Sequence, residues 1–243
     1  ALYLEFQSIR GHLIKWVMDR GAIVSETSVM LSELMKRGYQ FKLDHKKDLI
    51  DYLNSLGSDV EKTYTVVDST GWVNDRYVSQ HKTYGDGDLV FRDIEPTSEA
   101  MTEIKGNLAG WKENIGSKLA GNSRLIFAVG IALAAPLLPI VGMESGGFHL
   151  IGDTSAGKTT TLKVAASVTG EKTIPTWRTT ANGLESIATA HNHSFLPLDE
   201  IGQADPKQVG DALYMLGNGQ GKTRMTKTLT SRKPKTWNLL TFS

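Results

Sequence analysis

The hydrophobic pattern of the first half of the chain changes twice. Residues 1–57 are predicted to be helical, because apolar side chains recur there at helical spacing. A third helix of this region is predicted from His45 to Leu56, and residues 62–94, rich in β-branched and aromatic residues, predict a small antiparallel sheet. The residues that carry the helical spacing are Ile9, Leu13, Trp16 and Val17, then Val29, Leu31, Leu34 and Met35.

Helical patterning returns over residues 97–120, where Thr97 or Ser98 is the expected start. An apolar helix is predicted next, over residues 124–135. The uncharged run Leu125 to Val141 is 17 residues long, at the lower limit for a membrane span. Proline and glycine interrupt it, so a buried core helix that ends near Pro136 is the favoured interpretation.

From Phe148 onward, short apolar runs alternate with helical patterns, which is typical of a parallel sheet with crossover helices. We therefore predict an α+β N-terminal region over residues 1–120 and an α/β domain over residues 121–243. The predicted strands are FHLI at 148–151, TIPTW at 173–177, SFLPL at 194–198 and TWNLLTF at 236–242, and the predicted helices are 159–168, 183–191 and 207–216.

Between the first of these strands and its helix lies the pattern G-x-x-x-x-G-K-T, the phosphate-binding loop of P-loop proteins. The glycines let backbone N–H groups turn toward phosphate oxygens, and the helix start adds its dipole. Lys158 is predicted to reach the β- and γ-phosphates of ATP, and Thr159 to bind Mg²⁺. The predicted nucleotide-binding residues are Gly152, Asp153, Thr154, Ser155, Ala156, Gly157, Lys158, Thr159 and Thr160.

An acid pair, Asp199 and Glu200, follows the apolar run at 194–198. Asp199 is predicted to bind Mg²⁺ directly or through water, and Glu200 to orient and deprotonate the attacking water. The spacing from Lys158 predicts an additional strand between the two motif strands. Alone, such a pair is more often a solvated strand end. Pro197 is unusual in a central strand, and we expect a local bulge there.

A basic segment precedes the last predicted strand, and Thr226 to Ser231 is predicted to form a hairpin within it. Its cations are predicted to contact a DNA backbone, although a solvated loop is the alternative. Arg224 is also a candidate to reach the ATP of a neighbouring subunit. The six cationic residues, with no acid among them, are Lys222, Arg224, Lys227, Arg232, Lys233 and Lys235.

Composition adds few restrictions. The net charge of +1 indicates no partner, and the absence of cysteine excludes disulfides and zinc–thiolate sites and fits a reducing compartment. The N-terminus lacks the pattern of a signal peptide, and the missing initiator Met suggests a fragment. His191 and His193 could form a metal pair but are expected to lie in a surface turn.

The loop, the acid pair and three further strings resemble one family, the Cch-like helicases of bacterial mobile elements, long labelled a domain of unknown function. The resemblance covers roughly residues 65–243. The strings that carry it are GGFHLIGDTSAGKTTTLKVAASVTG, TWRTTANGLE, LPLDEIGQ, ALYMLGNGQGKTR and GWVNDRYV.

The resemblance implies an AAA+-type ATPase core similar to MCM helicases, a ring, expected to be hexameric, with ATP between subunits, and movement on single-stranded DNA in the bacterial cytoplasm. It also implies a polar sensor residue and a lid region beyond Ser243, so the core is expected to be truncated. By the same resemblance the basic hairpin faces the central channel.

Three functions are consistent with these features. The first is an ATP-dependent DNA helicase or translocase, as in replication of a mobile element. The second is an ATP-controlled DNA-binding or loading module that does not unwind. The third is a small-molecule kinase, for which the sequence offers no evident lid or acceptor pocket.

Overall fold

The computed structural model describes residues 1–56, 63–80, 82–92, 102–153, 156–222, 224–225, 231–232 and 234–243. Two compact units divide the chain: residues 1–68 with 82–95, and residues 69–81 with 96–243. Among the described residues, no helix has the length and apolar character needed to cross a membrane.

In the described part of the chain the strands are short and the helices have at most 13 residues. In chain order the strands are β1 Leu2–Gln7, β2 Leu13–Met18, β3 Thr65–Val67, β4 Gly71–Val73, β5 Arg76–Val78, β6 Thr83–Tyr84, β7 Leu89–Phe91, β8 Gly146–Phe148, β9 Phe195–Pro197, β10 Arg224–Met225, β11 Ser231–Arg232 and β12 Leu240–Phe242. The helices are α1 Ala22–Ser25, α2 Thr27–Lys36, α3 Lys46–Ser55, α4 Leu108–Asn114, α5 Ser123–Ala134, α6 Lys158–Thr169, α7 Ala181–Ala190 and α8 Pro206–Asn218.

The first unit opens with an antiparallel hairpin of β1 and β2, so the helix predicted through Ile9, Leu13, Trp16 and Val17 is wrong. Apolar residues also recur here at every second position, the spacing of a strand, and the structure follows this spacing. In the ladder Leu4 is opposite Trp16, and both pack with their alternate neighbours on the core of α2 and α3. Ile9 and Leu13, which the helical reading buried, are 67% and 60% exposed.

Helices α2 and α3 confirm the other two predicted helices of this region. Met30, Leu31 and Leu34 of α2 are buried with Leu53 of α3. The predicted antiparallel sheet is correct for β4 and β5 but wrong for β3 and β7, which pair in parallel. The chain between β3 and β7 includes the β4–β5 hairpin, and such a long connection permits parallel pairing.

The second unit is built around a parallel sheet in the order β8–β12–β9. Helices α5 and α6 cover one face, where Phe195 and Phe242 are fully buried. Leu196 and Leu198 alternate with Phe195 along the chain and therefore lie on the other face. There they share a core with α7 and α8. A strand does lie between β8 and β9, but it is β12, which comes later in the chain than both and is not the strand that the spacing between Lys158 and Asp199 predicted.

The apolar helix and the helix after the loop are confirmed as α5 and α6. Helix α5 is buried along one side only, since Ile126, Phe127 and Leu133 are about half exposed. The helix predicted over residues 97–120 is confirmed only in part, by α4. Residues 103–107 are not helical and α4 begins at Leu108, where the Asn107 side chain caps it by accepting the Gly110 N–H. Both predicted starts lie outside the described residues.

The strand predicted at 148–151 begins earlier, at Gly146. Ladder bonds continue past β8, since Leu150 N–H donates to the Ser243 carbonyl at 2.7 Å. Ile151 is 91% exposed and lies beyond the strand. Gly147 faces Thr241 of β12, and a Cβ at this glycine would overlap the threonine side chain. The sequence pattern favoured the bulkier residues, but the glycines are the ones that fit the close approach.

The strand predicted at 173–177 is reduced to one bridge, between Thr176 and Asp199. Asp199 N–H donates to the Pro175 carbonyl and Trp177 N–H donates to the Asp199 carbonyl. The next donors along this ladder would be Pro175 and Pro197, which have no N–H. Instead of the predicted bulge at Pro197, the ladder with residues 175–177 ends early because the two prolines lack donors. On the opposite side of this strand, Leu198 N–H still donates to the Phe242 carbonyl of β12.

His191 is buried, so its predicted place in a surface turn is wrong. Its side chain and that of Glu171 are 3% and 1% exposed, and its Nε2 lies 3.2 Å from Glu171 Oε1. Nδ1 lies 2.7 Å from the Ile187 carbonyl oxygen. Both ring nitrogens therefore face acceptors, which favours the charged imidazolium. Burial lowers the pKa of His191, but the charge and hydrogen bond of Glu171 outweigh it, so the pKa is raised.

We expect this pair to make stability depend on pH. The unfolded pKa is about 6.5, so the stabilisation is complete below that value and is lost as the pH rises through the higher folded pKa. Urea unfolding between about pH 6 and pH 9 should show this fall in the wild type, and Glu171→Gln should flatten it. Exposed His45→Gln is the control, expected to leave the profile unchanged. An identical slope in Glu171→Gln would contradict the account.

The wild type has to be compared with Glu171→Gln because His193 makes stability depend on pH in the opposite direction. Its Nδ1 accepts the Trp72 N–H at 2.8 Å, and burial lowers its pKa. Its stabilisation is therefore complete above about pH 6.5 and is lost as the pH falls below it. Its backbone holds the β4–β5 hairpin as well, since Tyr77 O–H donates to the His193 carbonyl.

Candidate functional site

The glycine-rich loop leaves β8 and ends at α6. Gly157 adopts φ 79° and caps the helix, a conformation that glycine accepts without strain. Lys158 is the first helical residue, and its Nζ donates to the carbonyls of Gly152 and Asp153 at 2.6 and 2.8 Å. The ammonium therefore lies over the loop. Of the nine predicted nucleotide-binding residues, Thr154 and Ser155 lie outside the described residues.

Thr159 and Thr160 are exposed in the first turn of α6, whereas Thr161 is buried and its hydroxyl donates to the Gly157 carbonyl. The hydroxyls of Thr159 and Thr160 are thus on the solvent side of the helix start. Free backbone N–H groups and the helix dipole favour anions at this end. The loop and the first turn of α6 together can hold a phosphate group.

The acid pair follows β9 at the same edge of the sheet, because β8 and β9 both run parallel to β12. Ser243, after β12, bonds to the β8 side: its N–H donates to the Phe148 carbonyl and its Oγ lies 2.7 Å from His149 Nδ1. One strand therefore separates the loop from the acid pair. The topology brings Lys158 and Asp199 to one edge.

Asp199 is held by its backbone bonds to residues 175–177, and its Oδ1 accepts the Glu200 N–H at 2.9 Å. Glu200 is exposed and has φ 61°, a left-handed conformation that is costly for a residue with a side chain. Such strain concentrates at functional sites. A half-buried carboxylate beside an exposed one can serve a cation and a water molecule respectively.

The basic segment, residues 219–237, is called the basic ribbon below, because its two arms pair in antiparallel fashion where the structure describes them. At its base Trp237 N–H donates to the Gly219 carbonyl and Gly221 N–H to the Lys235 carbonyl. Farther out β10 pairs with β11 in the same register, with Arg224 opposite Arg232. The hairpin predicted from Thr226 to Ser231 stays a prediction, because residues 226–230, with Lys227, lie outside the described residues, as does Lys233.

Lys235 also contacts α7, since its Nζ donates to Ser186 Oγ at 3.1 Å. Of the predicted DNA-binding residues, the structure therefore brings Lys222, Arg224, Arg232 and Lys235 onto one ribbon.

Sequence reasoning missed Glu185, a fully buried acid on α7. It is 1% exposed, and its Oε1 accepts the Lys222 N–H at the start of the basic ribbon. The available signal was an acid between apolar positions of an amphipathic helix, next to Leu184. The cap of the same helix is Thr180, whose Oγ1 accepts the Gly183 N–H.

A cavity of about 230 Å³ lies beneath the site edge, between α8 and the sheet. It is mostly apolar, and its lining includes Thr241, His149 and Ser243. Within the described part of the chain no group of three or more histidine or acidic side chains could hold a metal ion. A cation at this site would therefore need ligands from a bound phosphate as well, as Mg²⁺ commonly has.

The fold and site define a mixed α/β protein with a parallel sheet and a glycine-rich loop at the carboxyl edge of its strands. Residues 1–236 match the family model described as Domain of unknown function (DUF927). The chain therefore belongs to this family. No curated protein matches the sequence.

A solved structure described as "SCCmec type IV Cch - active helicase" has the same fold, with a TM-score of 0.66 and 18% sequence identity. The similarity covers 99% of this chain and 49% of that one, so this chain spans about half of its length. At this identity the likeness concerns the fold. The agreement extends the family resemblance noted from the sequence motifs to the backbone.

Proposed function

We infer that this chain is the motor domain of an ATP-dependent DNA helicase or translocase, with residues 121–243 as an AAA+-type P-loop core similar to that of MCM helicases. One observation carries the proposal. The Lys158 loop and the Asp199–Glu200 pair lie at the same edge of a parallel sheet, separated by the single strand β12. That separation is what an additional-strand ATPase with a catalytic glutamate requires. The helicase fold of the similar structure supports it.

ATP fits the loop by its chemistry. The triphosphate would replace the loop carbonyls as the partner of Lys158 Nζ, and the N–H groups from Gly157 onward would donate to its oxygens. Thr159 and Asp199 would hold Mg²⁺, which neutralises charge on the phosphate oxygens. Glu200 would accept the proton of the attacking water. Its exposed, left-handed position next to Asp199 leaves the carboxylate accessible to that water.

The basic ribbon is the proposed DNA contact. It projects from the segment between α8 and β12, so its base adjoins the strand that separates the two nucleotide motifs. Six cations without an acid suit a phosphate backbone. Arg224 remains a second candidate, for the ATP of a neighbouring subunit. A hexameric ring on single-stranded DNA, in replication of a mobile element, follows from the family resemblance.

Neutralising three ribbon residues should reduce the salt dependence of DNA binding. In Lys227→Ala/Arg232→Ala/Lys233→Ala, the slope of log K against log salt should shrink by about one per lost phosphate contact. Fluorescence anisotropy with a labelled single strand, over a series of salt concentrations, measures it. A matched triple variant at exposed lysines of α3 and α4, Lys46→Ala/Lys47→Ala/Lys112→Ala, should keep the wild-type slope. An unchanged slope in the ribbon variant would mean that the segment is a solvated loop that does not contact DNA.

Strand displacement on a forked duplex tests the motor function itself. We expect ATP-dependent displacement by the wild type and none by Lys158→Ala. A protein that binds DNA in response to ATP but never displaces a strand would instead be the loading module. Phosphorylation of a small metabolite would indicate the kinase.

A further inference from the structure

The base of the basic ribbon rests on α7 through a buried carboxylate. Glu185 is 1% exposed, and it lies in the helix between the buried Leu184 and Ala188. Burying a carboxylate is costly unless hydrogen bonds compensate for the lost water. A glutamate at such a position therefore has to be explained by what its oxygens contact.

Both carboxylate oxygens of Glu185 are directed to the first turn of the ribbon. Oε1 accepts the Lys222 N–H at 3.2 Å. Oε2 lies 3.0 Å from the position that a Cβ at residue 221 would occupy. Gly221 thus allows the close approach of the carboxylate, since any side chain at this residue would push against it. This contact explains a glycine whose φ is not positive.

The returning arm of the ribbon is held by the next residue of α7. Lys235 Nζ donates to Ser186 Oγ at 3.1 Å, and Gly221 N–H donates to the Lys235 carbonyl at 2.8 Å. Glu185 and Ser186, two consecutive residues of α7, therefore contact both arms of the ribbon at the place where the arms pair. The orientation of the ribbon is fixed relative to α7 at this point.

The other end of α7 adjoins the acid pair. Residues 175–177 bond the backbone of Asp199 on both sides, and the helix cap Thr180 follows three residues later. A shift of Asp199 would be passed through this short segment to α7, and through Glu185 to the ribbon. The connection runs entirely within the second unit of the chain.

We propose that Glu185 is a positioning residue that fixes the basic ribbon to α7 and thereby couples the acid pair to the DNA contact. The proposal rests on the proposed function, because it assigns a consequence to ribbon position. Glu185 is buried and is not among the residues proposed to contact nucleotide or DNA. Its loss is therefore expected to change the response to DNA more than the basal rate.

The test compares Glu185→Ala and Gly221→Ala with the wild type in steady-state ATP hydrolysis, with and without single-stranded DNA. Both variants should keep the basal rate and lose about tenfold or more of the DNA-stimulated rate, the effect of misplacing a contact. Glu185→Gln, which keeps an oxygen for the Lys222 N–H, should restore part of it. Amide hydrogen exchange should be faster at residues 219–222 in Glu185→Ala and unchanged at residues 195–198.

Leu184→Ala is the matched control, since it removes a buried side chain of the same helix. It should lower the melting temperature but leave DNA stimulation intact. DNA stimulation and exchange in Glu185→Ala equal to those of the wild type would overturn the coupling and leave the proposed function standing. A wild type with no DNA stimulation would overturn the proposed function, and the coupling with it.

Discussion

Glu200→Gln is expected to bind ATP like the wild type and to hydrolyse it about 10²- to 10⁴-fold more slowly, the range that a general base contributes. The amide cannot accept the proton of the attacking water, whereas the loop that holds the phosphates is untouched. Gln is the right replacement because the left-handed backbone at this residue is tolerated with a side chain of the same shape. Single-turnover hydrolysis together with a nucleotide-binding titration separates the two effects.

Glu113→Gln provides the control, because Glu113 is an exposed acid on α4, outside the site. It should hydrolyse ATP at the wild-type rate. Normal turnover in Glu200→Gln would remove Glu200 from the role of base. Asp199 would then be the first alternative to examine.

Lys158→Ala is expected to weaken nucleotide binding about 10- to 100-fold, the equivalent of one or two hydrogen bonds from a charged group. The ammonium is already placed over the loop by Gly152 and Asp153, so little reorganisation precedes its contact with phosphate. Calorimetric titration with a non-hydrolysable ATP analogue measures the change.

Lys163→Ala tests whether the loss of any lysine charge on α6 is sufficient to weaken nucleotide binding. Lys163 is an exposed lysine of α6, one and a half turns after Lys158, and carries the same charge. Its loss should leave nucleotide affinity within experimental error of the wild type. Equal weakening by both substitutions would mean that the loop lysine has no specific contact with phosphate.

The second half of the chain could be predicted well because its signals are local. The glycine-lysine pattern specified the start of α6 at Lys158, and an apolar period specified α5. The acid pair was predicted because two carboxylates follow the apolar run at 194–198. Which strand lies between the loop and the acid pair could not be predicted, since β12 reaches that place by a connection of more than 20 residues after α8.

The failures have physical causes in particular residues. Ile9 and Leu13 match a helical period by chance, while the alternation that includes Leu4 and Trp16 forms β1 and β2. The strand at 173–177 is cut short because Pro175 and Pro197 lack the N–H groups that would extend its ladder. The two prolines are 22 residues apart, so a local sequence pattern does not bring them together. Glu185 likewise has a reason only in its contacts with the basic ribbon, 36 and 37 residues later in the chain.

The central claim is that ATP turnover at the Lys158–Glu200 edge responds to DNA on the basic ribbon. Steady-state ATP hydrolysis with and without single-stranded DNA tests it most directly, in the wild type and in Lys227→Ala/Arg232→Ala/Lys233→Ala. We predict hydrolysis that DNA stimulates in the wild type, and stimulation that the ribbon variant loses at moderate salt while it keeps the basal rate. ATP binding without DNA-responsive hydrolysis in the wild type would contradict the claim.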